Sequence, residues 1–249
     1  GIHIGHYGKD LEPMWTLSRL AALLLDRVPD TRFRLGSIEA TEVDDLLIDL
    51  LANSQGRLTP HIHMPLQSGA DPVLALMRRW HTREQYRVRV LEIAEHLSPL
   101  GLGADVITGF PGETERDHDQ TRALIEELPF TYLHVFPFSP RDGTVAIDLP
   151  HPVPQRVAGE RSRELRELAQ AKGREYRARR VGGSAEVVVE GAGGTALTGD
   201  YLRVGVGEAV PPADPALTGA LPRLPAGTLQ GDADHLYIAW SHDPSMISI

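Results

Sequence analysis

Hydrophobic positions up to residue 138 alternate between short β-like runs and stretches with helical spacing. Apolar residues recurring every three to four positions predict helices at 11–28, 41–51, from 71 onward, 82–97 and 114–128. Shorter apolar runs predict strands at 1–4, 31–38, 61–66, 102–108 and 131–138. Strand–helix alternation repeated this often predicts a parallel sheet with right-handed crossovers, either an open doubly wound sheet or part of a barrel.

The pattern changes after the proline-rich segment 150–154. Residues 155–180 read as one long charged helix. Short β-like runs separated by glycine and proline follow it, at 185–190, 201–206, 208–210, 227–230 and 236–240. Their spacing predicts a small β-barrel. The predicted domains are therefore the α/β part at 1–150, the connecting helix at 151–180 and the β-barrel at 181–249.

The composition is that of an ordinary globular chain, with 249 residues, 41% hydrophobic and 24% charged. Disordered, collagen-like and coiled-coil proteins are thereby excluded. No apolar run approaches the length that spans a membrane, and the N-terminus does not resemble a signal peptide. We therefore expect a cytoplasmic protein without a membrane partner.

Charge is unevenly distributed along the chain. The net charge is −9, yet residues 156–180 contain nine basic and four acidic residues, and residues 181–249 contain two basic and eight acidic ones. The basic helix fits two interpretations, which the sequence leaves open. Its arginines neutralise nucleic-acid phosphates in a salt-sensitive complex, or they form Glu–Arg pairs on a solvated helix, such as Glu160–Arg163 and Glu164–Arg161.

The predicted strand ends carry polar and glycine-rich segments, at 5–8, 37–39, 65–69, 109–113 and 139–141. Ligands bind at the carboxyl edge of parallel strands, so these segments are candidates for a site. The glycines of 109–114 permit close backbone approach to a ligand at a helix N-terminus. A purely structural turn fits the same residues, and neither a P-loop nor a dinucleotide fingerprint is present.

Two histidines suggest a metal site at first sight. His61 and His63 lie on the same face of a strand, as in barrel metallohydrolases. His6 and His134 are available as further ligands, but no carboxylate stands at a matching strand end. The sequence therefore favours polar neighbours inside a barrel, and we predict no metal ligands.

Several segments, read together, carry a family resemblance. Residues 63–71 (HMPLQSGAD), 76–79 (LMRR), 105–114 (DVITGFPGET) and 134–144 (HVFPFSPRDGT) resemble signatures of radical-SAM tRNA methylthiotransferases. Order and spacing agree over nearly the whole chain. Residues 1–8 and 34–39 resemble more particularly the branch that acts on threonylcarbamoyladenosine beside the anticodon.

The resemblance implies a partial radical-SAM (β/α) barrel followed by a small β-barrel RNA-binding domain of the TRAM type. It implies S-adenosylmethionine and [4Fe–4S] clusters as cofactors, tRNA as substrate, and an electron donor as partner. The product would be a 2-methylthio group on a tRNA adenosine.

Site residues are carried over from the same resemblance, and none of them is assigned a catalytic role. The residues expected to bind S-adenosylmethionine through polar groups are Ser37, Glu39, Gln67 and Ser68. Those expected to contact its adenine are Ile107, Gly109, Phe110, Pro111 and Gly112. Those expected to contact RNA are Arg78, Arg79, Arg141 and Tyr201.

One departure from the family pattern is decisive: the sequence contains no cysteine. It therefore offers no thiolate ligands for an iron–sulfur cluster. We expect the carboxyl-terminal portion of a methylthiotransferase, beginning at the second barrel strand and inactive alone. The alternatives are a cluster-free tRNA-binding relative without catalysis and, on His61 and His63 only, a metal-dependent hydrolase.

Overall fold

The computed structural model describes residues 4–190, 194–207 and 223–240. The chain divides into two compact units, Gly1–Lys172 and Gly173–Ile249. The domain limits drawn from the sequence, at residues 150 and 180, stay predictions. None of the helices in the described ranges combines the length and apolarity needed to cross a bilayer.

The first unit contains a parallel sheet and its connecting helices. Its helices are α1 (Leu17–Arg27), α2 (Asp45–Asn53), α3 (Asp71–Leu76), α4 (Arg83–His96) and α5 (Glu115–Glu127). Its strands are β1 (His61–His63), β2 (Gly101–Thr108) and β3 (Tyr132–Pro137). Helix α6 (Gln155–Arg180) follows and continues into the second unit.

Local chemistry explains where the helices begin. Thr82 and Thr114 each accept a hydrogen bond from the third residue of the helix that follows, and that residue's side chain accepts one in return. Such capping boxes satisfy amide groups that a helix start leaves unpaired. Pro72 stands in the first turn of α3, where its missing N–H costs nothing.

The sheet has the strand order β1-β2-β3, with all strands parallel. One face is apolar and packs into the main core, through Ile62, Leu102, Ala104, Val106 and Val135. Because side chains alternate along a strand, the residues between these point to the opposite face. That opposite face is polar and aromatic, and it carries the candidate site. The α/β class predicted from the sequence is confirmed.

Several predicted elements of this unit are wrong in detail. The helix predicted from residue 41 begins at Asp45, and the strand predicted at 61–66 ends at His63. The segment 31–38 is no continuous strand: Phe33 bridges Leu58 and Ser37 bridges His63, so its pairing is split between two partners. The N-terminal helix begins at Leu17 rather than at residue 11, after Thr16 accepts a hydrogen bond from Arg19 N.

The N-terminal strand is also wrong where it can be compared, because a 3-10 turn occupies Ile4–His6 and residues 1–3 lie outside the described part. In the described ranges the sheet therefore has three strands instead of five.

The second unit is a closed barrel with the strand order β4-β5-β6-β8-β7. Its strands are β4 (Ser184–Glu190), β5 (Thr195–Thr198), β6 (Arg203–Val206), β7 (Arg223–Gly231) and β8 (Leu236–Ala239). Apolar side chains that alternate along them fill the interior, among them Val187, Ala196, Val204, Leu229 and Ile238. The predicted small β-barrel is confirmed. The expected run at 208–210 lies outside the described residues.

Candidate functional site

The polar face of the sheet results from alternation in the three strands. Its side chains are those of His61, His63, Asp105, Ile107, Tyr132, His134 and Phe136. Gly103 is required in the middle of this face because a Cβ atom there would collide with the ring of Tyr132. The Tyr132 ring in turn stacks on both His61 and His63, with 6.0 Å between ring centroids in each pair. The two histidines therefore share a face, as predicted.

A cavity of about 520 Å³ opens on this face. Its lining residues are Gln67, Arg79, Asp105, Ile107, Phe110, Phe136, Pro137, Phe138, Ser139 and Arg141. The volume lies within the range of small-molecule sites, and the mixture of aromatic walls with a few polar groups is typical of them. Residues predicted separately to bind the cofactor and to contact RNA thus meet in one place.

Gln67 has the most unusual backbone in the cavity, with φ of 66° although it is not glycine. Its N–H donates to the Asp105 carbonyl (2.8 Å) and its carbonyl accepts from Ile107 N–H (2.9 Å). These two bonds to β2 hold the strained conformation in place. Strain of this kind costs about 1–3 kcal/mol and concentrates at functional sites.

Ser37 and Glu39 are not among the residues that line the cavity. Ser37 Oγ shares a 2.8 Å hydrogen bond with His63 Nδ1. Glu39 Oε1 accepts from Arg79 Nη1 at 3.1 Å, and Glu39 Oε2 lies 3.7 Å from His81 Nδ1. Burial lowers the pKa of His81, against the opposing influence of Glu39. Both predicted residues therefore orient side chains of the site.

The glycines of the 109–112 loop have a structural reason of their own. Gly109 and Gly112 adopt φ of 74° and 88°. A Cβ on Gly109 would collide with the Cβ of Ala158 in α6. Of this loop, Phe110 lines the cavity and packs edge-on against Phe138, with centroids 5.1 Å apart. Ligand contact by the loop glycines and by the buried Pro111 stays a prediction.

A buried ion pair that the sequence analysis missed fastens this loop to α6. Arg161 donates to Glu113 Oε2 at 2.7 Å and to Glu115 Oε2 at 2.9 Å. Glu113 also accepts from Gly109 N–H at 2.6 Å. Burial raises the pKa of Glu113, and the hydrogen bonds from Gly109 and Arg161 act against this rise.

Two predicted residues of the first unit do not line the 520 Å³ cavity, and a third belongs to the second unit. Ser68 is fully buried, and its hydroxyl contacts Thr121 Oγ1 at 3.3 Å and accepts from Ala70 N–H at 3.2 Å. Arg78 lines an adjoining, more apolar cavity of about 270 Å³, which shares Arg79, Ile107 and Phe110 with the larger one. Tyr201 belongs to the second unit, where it follows the β5 turn with φ of 69°.

The expectation that no carboxylate accompanies the histidines is wrong. Asp105 Oδ1 lies 3.4 Å from His63 Nε2, and Asp105 pairs in register with His134. The contact with the His63 ring lowers the pKa of Asp105, although burial raises it. The sequence does show, through side-chain alternation at His61/His63, Gly103/Asp105 and Tyr132/His134, that these residues share a face of the sheet. It does not show that Asp105 lies beside the histidines, because the register between strands is set by the tertiary structure. His6 instead contacts Glu42 at 3.3 Å.

Known proteins with similar sequences are tRNA-modifying enzymes. The chain is 38% identical over 195 residues to threonylcarbamoyladenosine tRNA methylthiotransferase MtaB of Rickettsia prowazekii, covering 76% of this chain and 45% of that protein. It is 37% identical to the MtaB protein of Bacillus subtilis, covering 77% and 42%. It is also 38% identical to tRNA-2-methylthio-N(6)-dimethylallyladenosine synthase of Bacillus subtilis, covering 77% and 37%. The chain thus spans less than half the length of these relatives.

No family model matches the sequence. Among solved structures, the chain is similar to coproporphyrinogen III oxidase (HemN) from Escherichia coli, described as a radical SAM enzyme. The TM-score is 0.49 and the identity 18%, over 63% of this chain and 37% of that one.

Proposed function

We propose, from the homology of this chain to tRNA methylthiotransferases over three quarters of its length, that it forms the carboxyl-terminal portion of such an enzyme. In this proposal the first unit holds part of S-adenosylmethionine and part of the tRNA. The cluster ligands and the sulfur-donating machinery come from polypeptide outside this sequence, since it contains no cysteine. The chain alone is then inactive, and the complete enzyme works with an electron donor in the cytoplasm, where tRNA is modified.

The cavity on the polar face is the observation that carries this proposal. It joins Gln67, Ile107 and Phe110 with Arg79 and Arg141 in one lining. A cofactor site beside an RNA site is what transfer to a tRNA base requires. The second groove of comparable size, about 420 Å³ between residues 40–41 and α4, contains none of these residues.

The lining residues suit a nucleoside-type ligand. Phe136, which is 52% exposed, offers a ring face for an adenine, and the buried Phe110 adds apolar surface to the cavity wall. The Gln67 amide offers both a donor and an acceptor for ribose hydroxyls or for the methionine portion. S-adenosylmethionine supplies the radical chemistry of the family when it is cleaved reductively at a cluster. The residues of this chain bind and orient it and shield it from water.

The RNA side of the proposal rests on two arginines and a tryptophan. Arg79 is held by Glu39, whereas Arg141 is exposed at the rim of the cavity. Trp80, next to Arg79, is 73% exposed. Guanidinium groups bind phosphates, and an exposed indole can stack on an unpaired base. Together they form a surface suited to an anticodon loop.

The choice of modified adenosine belongs to the proposal as well. The resemblance at residues 1–8 and 34–39 favours N6-threonylcarbamoyladenosine. The test expresses the complete gene that encodes this chain in a host lacking its own methylthiotransferases. Mass spectrometry of tRNA nucleosides should then detect the 2-methylthio derivative of threonylcarbamoyladenosine. A methylthio group found only on dimethylallyladenosine would overturn the branch, and none on either would overturn the function.

A cluster-free relative that binds tRNA without modifying it is the second candidate. The absence of cysteine from the whole sequence favours it. The two candidates separate if the natural gene product is analysed for iron. A natural product without iron that binds tRNA and leaves its nucleosides unchanged supports the second candidate, whereas a product that contains both iron and acid-labile sulfide supports the first.

A further inference from the structure

Three potential metal ligands meet on the polar face of the sheet, namely His63 from β1, Asp105 from β2 and His134 from β3. Each offers one ligand atom, and these atoms lie within 4.8 Å of one another. The parallel register produces the cluster, because it pairs Asp105 with His134 and places β1 on the other side of β2. Three consecutive strands therefore contribute one ligand each.

The distances suit a small divalent ion. Ligand bonds of about 2.0–2.1 Å in a tetrahedral site separate the ligand atoms by about 3.4 Å. The Nε2 atom of His63 and the Oδ1 atom of Asp105 are 3.4 Å apart. That separation is long for a hydrogen bond, yet it equals the spacing of two ligands on one ion. The exposed His134 ring is able to shorten the remaining distance by changing its rotamer.

The orientation of His63 provides an independent argument. Ser37 Oγ contacts its Nδ1 at 2.8 Å, which directs Nε2 towards Asp105. Ligating histidines are commonly held in this way through their other ring nitrogen. The Nε2 atom is buried and makes no hydrogen bond within the described part of the chain. A buried polar atom left without a hydrogen bond is unfavourable, and a coordinated cation would offset that cost.

We propose that His63, Asp105 and His134 bind a divalent transition-metal ion, with Ser37 as the residue that positions His63. Two imidazoles and one carboxylate hold Zn²⁺ in catalytic sites, and Zn²⁺ is the ion we expect; the same donor set also holds Fe²⁺. Three protein ligands leave a coordination position for water or for a ligand in the cavity, which Asp105 also lines. This inference goes beyond the proposed function and does not depend on it.

The test is a direct titration of the purified chain. A chelator-treated sample carrying a histidine-free affinity tag is titrated with Zn²⁺ by calorimetry and with Co²⁺ by visible absorption. We expect one Zn²⁺ per chain at this site. The intensity of the Co²⁺ ligand-field bands should indicate a low coordination number. Substitutions Asp105→Asn and His134→Gln should each weaken Zn²⁺ binding at least ~10-fold, and Ser37→Ala should weaken it about 10–100-fold.

Matched controls are needed because the chain has 11 histidines. His96→Gln removes an exposed histidine on α4, and His61→Gln removes the neighbour that shares a strand and a face with His63. Both should bind Zn²⁺ as tightly as the unaltered chain. His134 is exposed, so its substitution should leave the fold intact, which far-UV circular dichroism verifies.

Two results would overturn the site. One is that the unaltered chain binds no more Zn²⁺ than a triple variant in which His63, Asp105 and His134 are all replaced. This result would leave His63 and Asp105 as an ordinary ion pair. The other is a bound ion whose affinity is insensitive to His134→Gln or equally sensitive to His61→Gln, which would mean a different set of ligands.

Discussion

At the scale of single residues, Gln67 combines a strained backbone with a position in the cavity. Its φ of 66° is one that glycine adopts without cost, and both of its backbone polar groups bond to β2. A glutamine kept in this conformation indicates that the amide side chain has a use. At this position the backbone conformation favours glycine, whereas the proposed cofactor site needs the glutamine amide.

The substitution Gln67→Gly separates the two. We expect the melting temperature to stay unchanged or rise, because glycine relieves about 1 kcal/mol of strain. Methylthiolation by the complete enzyme should fall at least ~10-fold, because the amide is lost from the proposed cofactor site. Gln170→Ala, on the exposed side of α6, is the control and should affect neither. Full activity of Gln67→Gly would remove Gln67 from the proposed site.

In the second unit, Asp200 is a buried charged residue. Its carboxylate accepts from Tyr176 Oη at 2.6 Å and from Arg180 Nε at 2.8 Å. Burial raises the pKa of Asp200, but Arg180 and the hydrogen bonds from Tyr176 and Thr198 outweigh it, so the pKa lies below its usual range. The carboxylate thus stabilises the barrel above its unfolded-state pKa of about 3.9, and this contribution is lost as the pH falls through the folded-state value.

The substitution Asp200→Asn should lower the free energy of unfolding of the barrel at neutral pH by about 3 kcal/mol, because Arg180 loses its buried partner. It should also flatten the loss of stability below about pH 4. Urea unfolding followed by Trp240 fluorescence, with Trp15 and Trp80 replaced by phenylalanine, reports on this unit. Glu175→Gln, which breaks an exposed pair with Arg179, is the control and should change little. An unchanged acid dependence in Asp200→Asn would contradict the argument.

At the scale of elements, the 109–113 loop and α6 depend on each other. Gly109 permits contact with Ala158, and Arg161 compensates the buried Glu113. Phe110, one residue along, lines the cavity. Helix α6 thus holds the loop in place, and a substitution that disrupts the contact between loop and helix should displace Phe110 in the cavity lining.

The substitution Gly109→Ala should destabilise the first unit by at least about 2 kcal/mol, because alanine meets both a positive φ and a collision with Ala158. Gly159→Ala is the matched control, at the residue of α6 that follows Ala158. It has open space around its Cβ position and should stabilise the helix by up to about 1 kcal/mol. Thermal unfolding of the two variants measures both effects. Equal stability of the two would mean that the loop packs differently.

Two exposed ion pairs within α6 are of the kind that the solvated-helix interpretation expects, although with other partners, while further pairs connect α6 to other elements. Arg156 pairs with Glu160 at 2.6 Å, rather than Glu160 with Arg163. Further along, basic side chains pair with Glu113, Glu175, Asp200 and Asp234. Ion pairs within the protein therefore occupy much of the basic band, which leaves fewer cations for RNA phosphates.

At the scale of the whole molecule, the ion pairs of α6 should make the salt dependence of tRNA binding weaker than the number of basic residues suggests. We expect log K against log[salt] to have a slope of about −3, corresponding to three or four phosphate contacts. A slope near −8 would mean that the α6 arginines leave their ion pairs within the protein and bind RNA phosphates instead. Fluorescence anisotropy of a labelled anticodon stem–loop over a salt series measures it. Arg141→Gln should reduce the slope by about one unit, whereas Arg156→Gln, paired with Glu160, should not.

The sequence by itself determined the α/β class, the small β-barrel and most helix boundaries. These features depend on local periodicity and on capping residues such as Thr82 and Thr114, which act within a few positions of the chain. Its motifs also selected Gln67, Ile107 and Phe110, which do share a cavity. The resemblance to tRNA methylthiotransferases followed from the order and spacing of the same motifs.

Only the tertiary structure decided which side chains meet. The register of β1, β2 and β3 brings Asp105 to His63 and His134, from positions up to 71 residues apart in sequence. Similarly, packing against α6 explains Gly109, and Ser37 and Glu39 are placed outside the cavity lining instead of in it. Periodicity determines the face on which a residue lies, but register and packing between distant segments determine its neighbours. Those neighbours form the cavity and the proposed metal site.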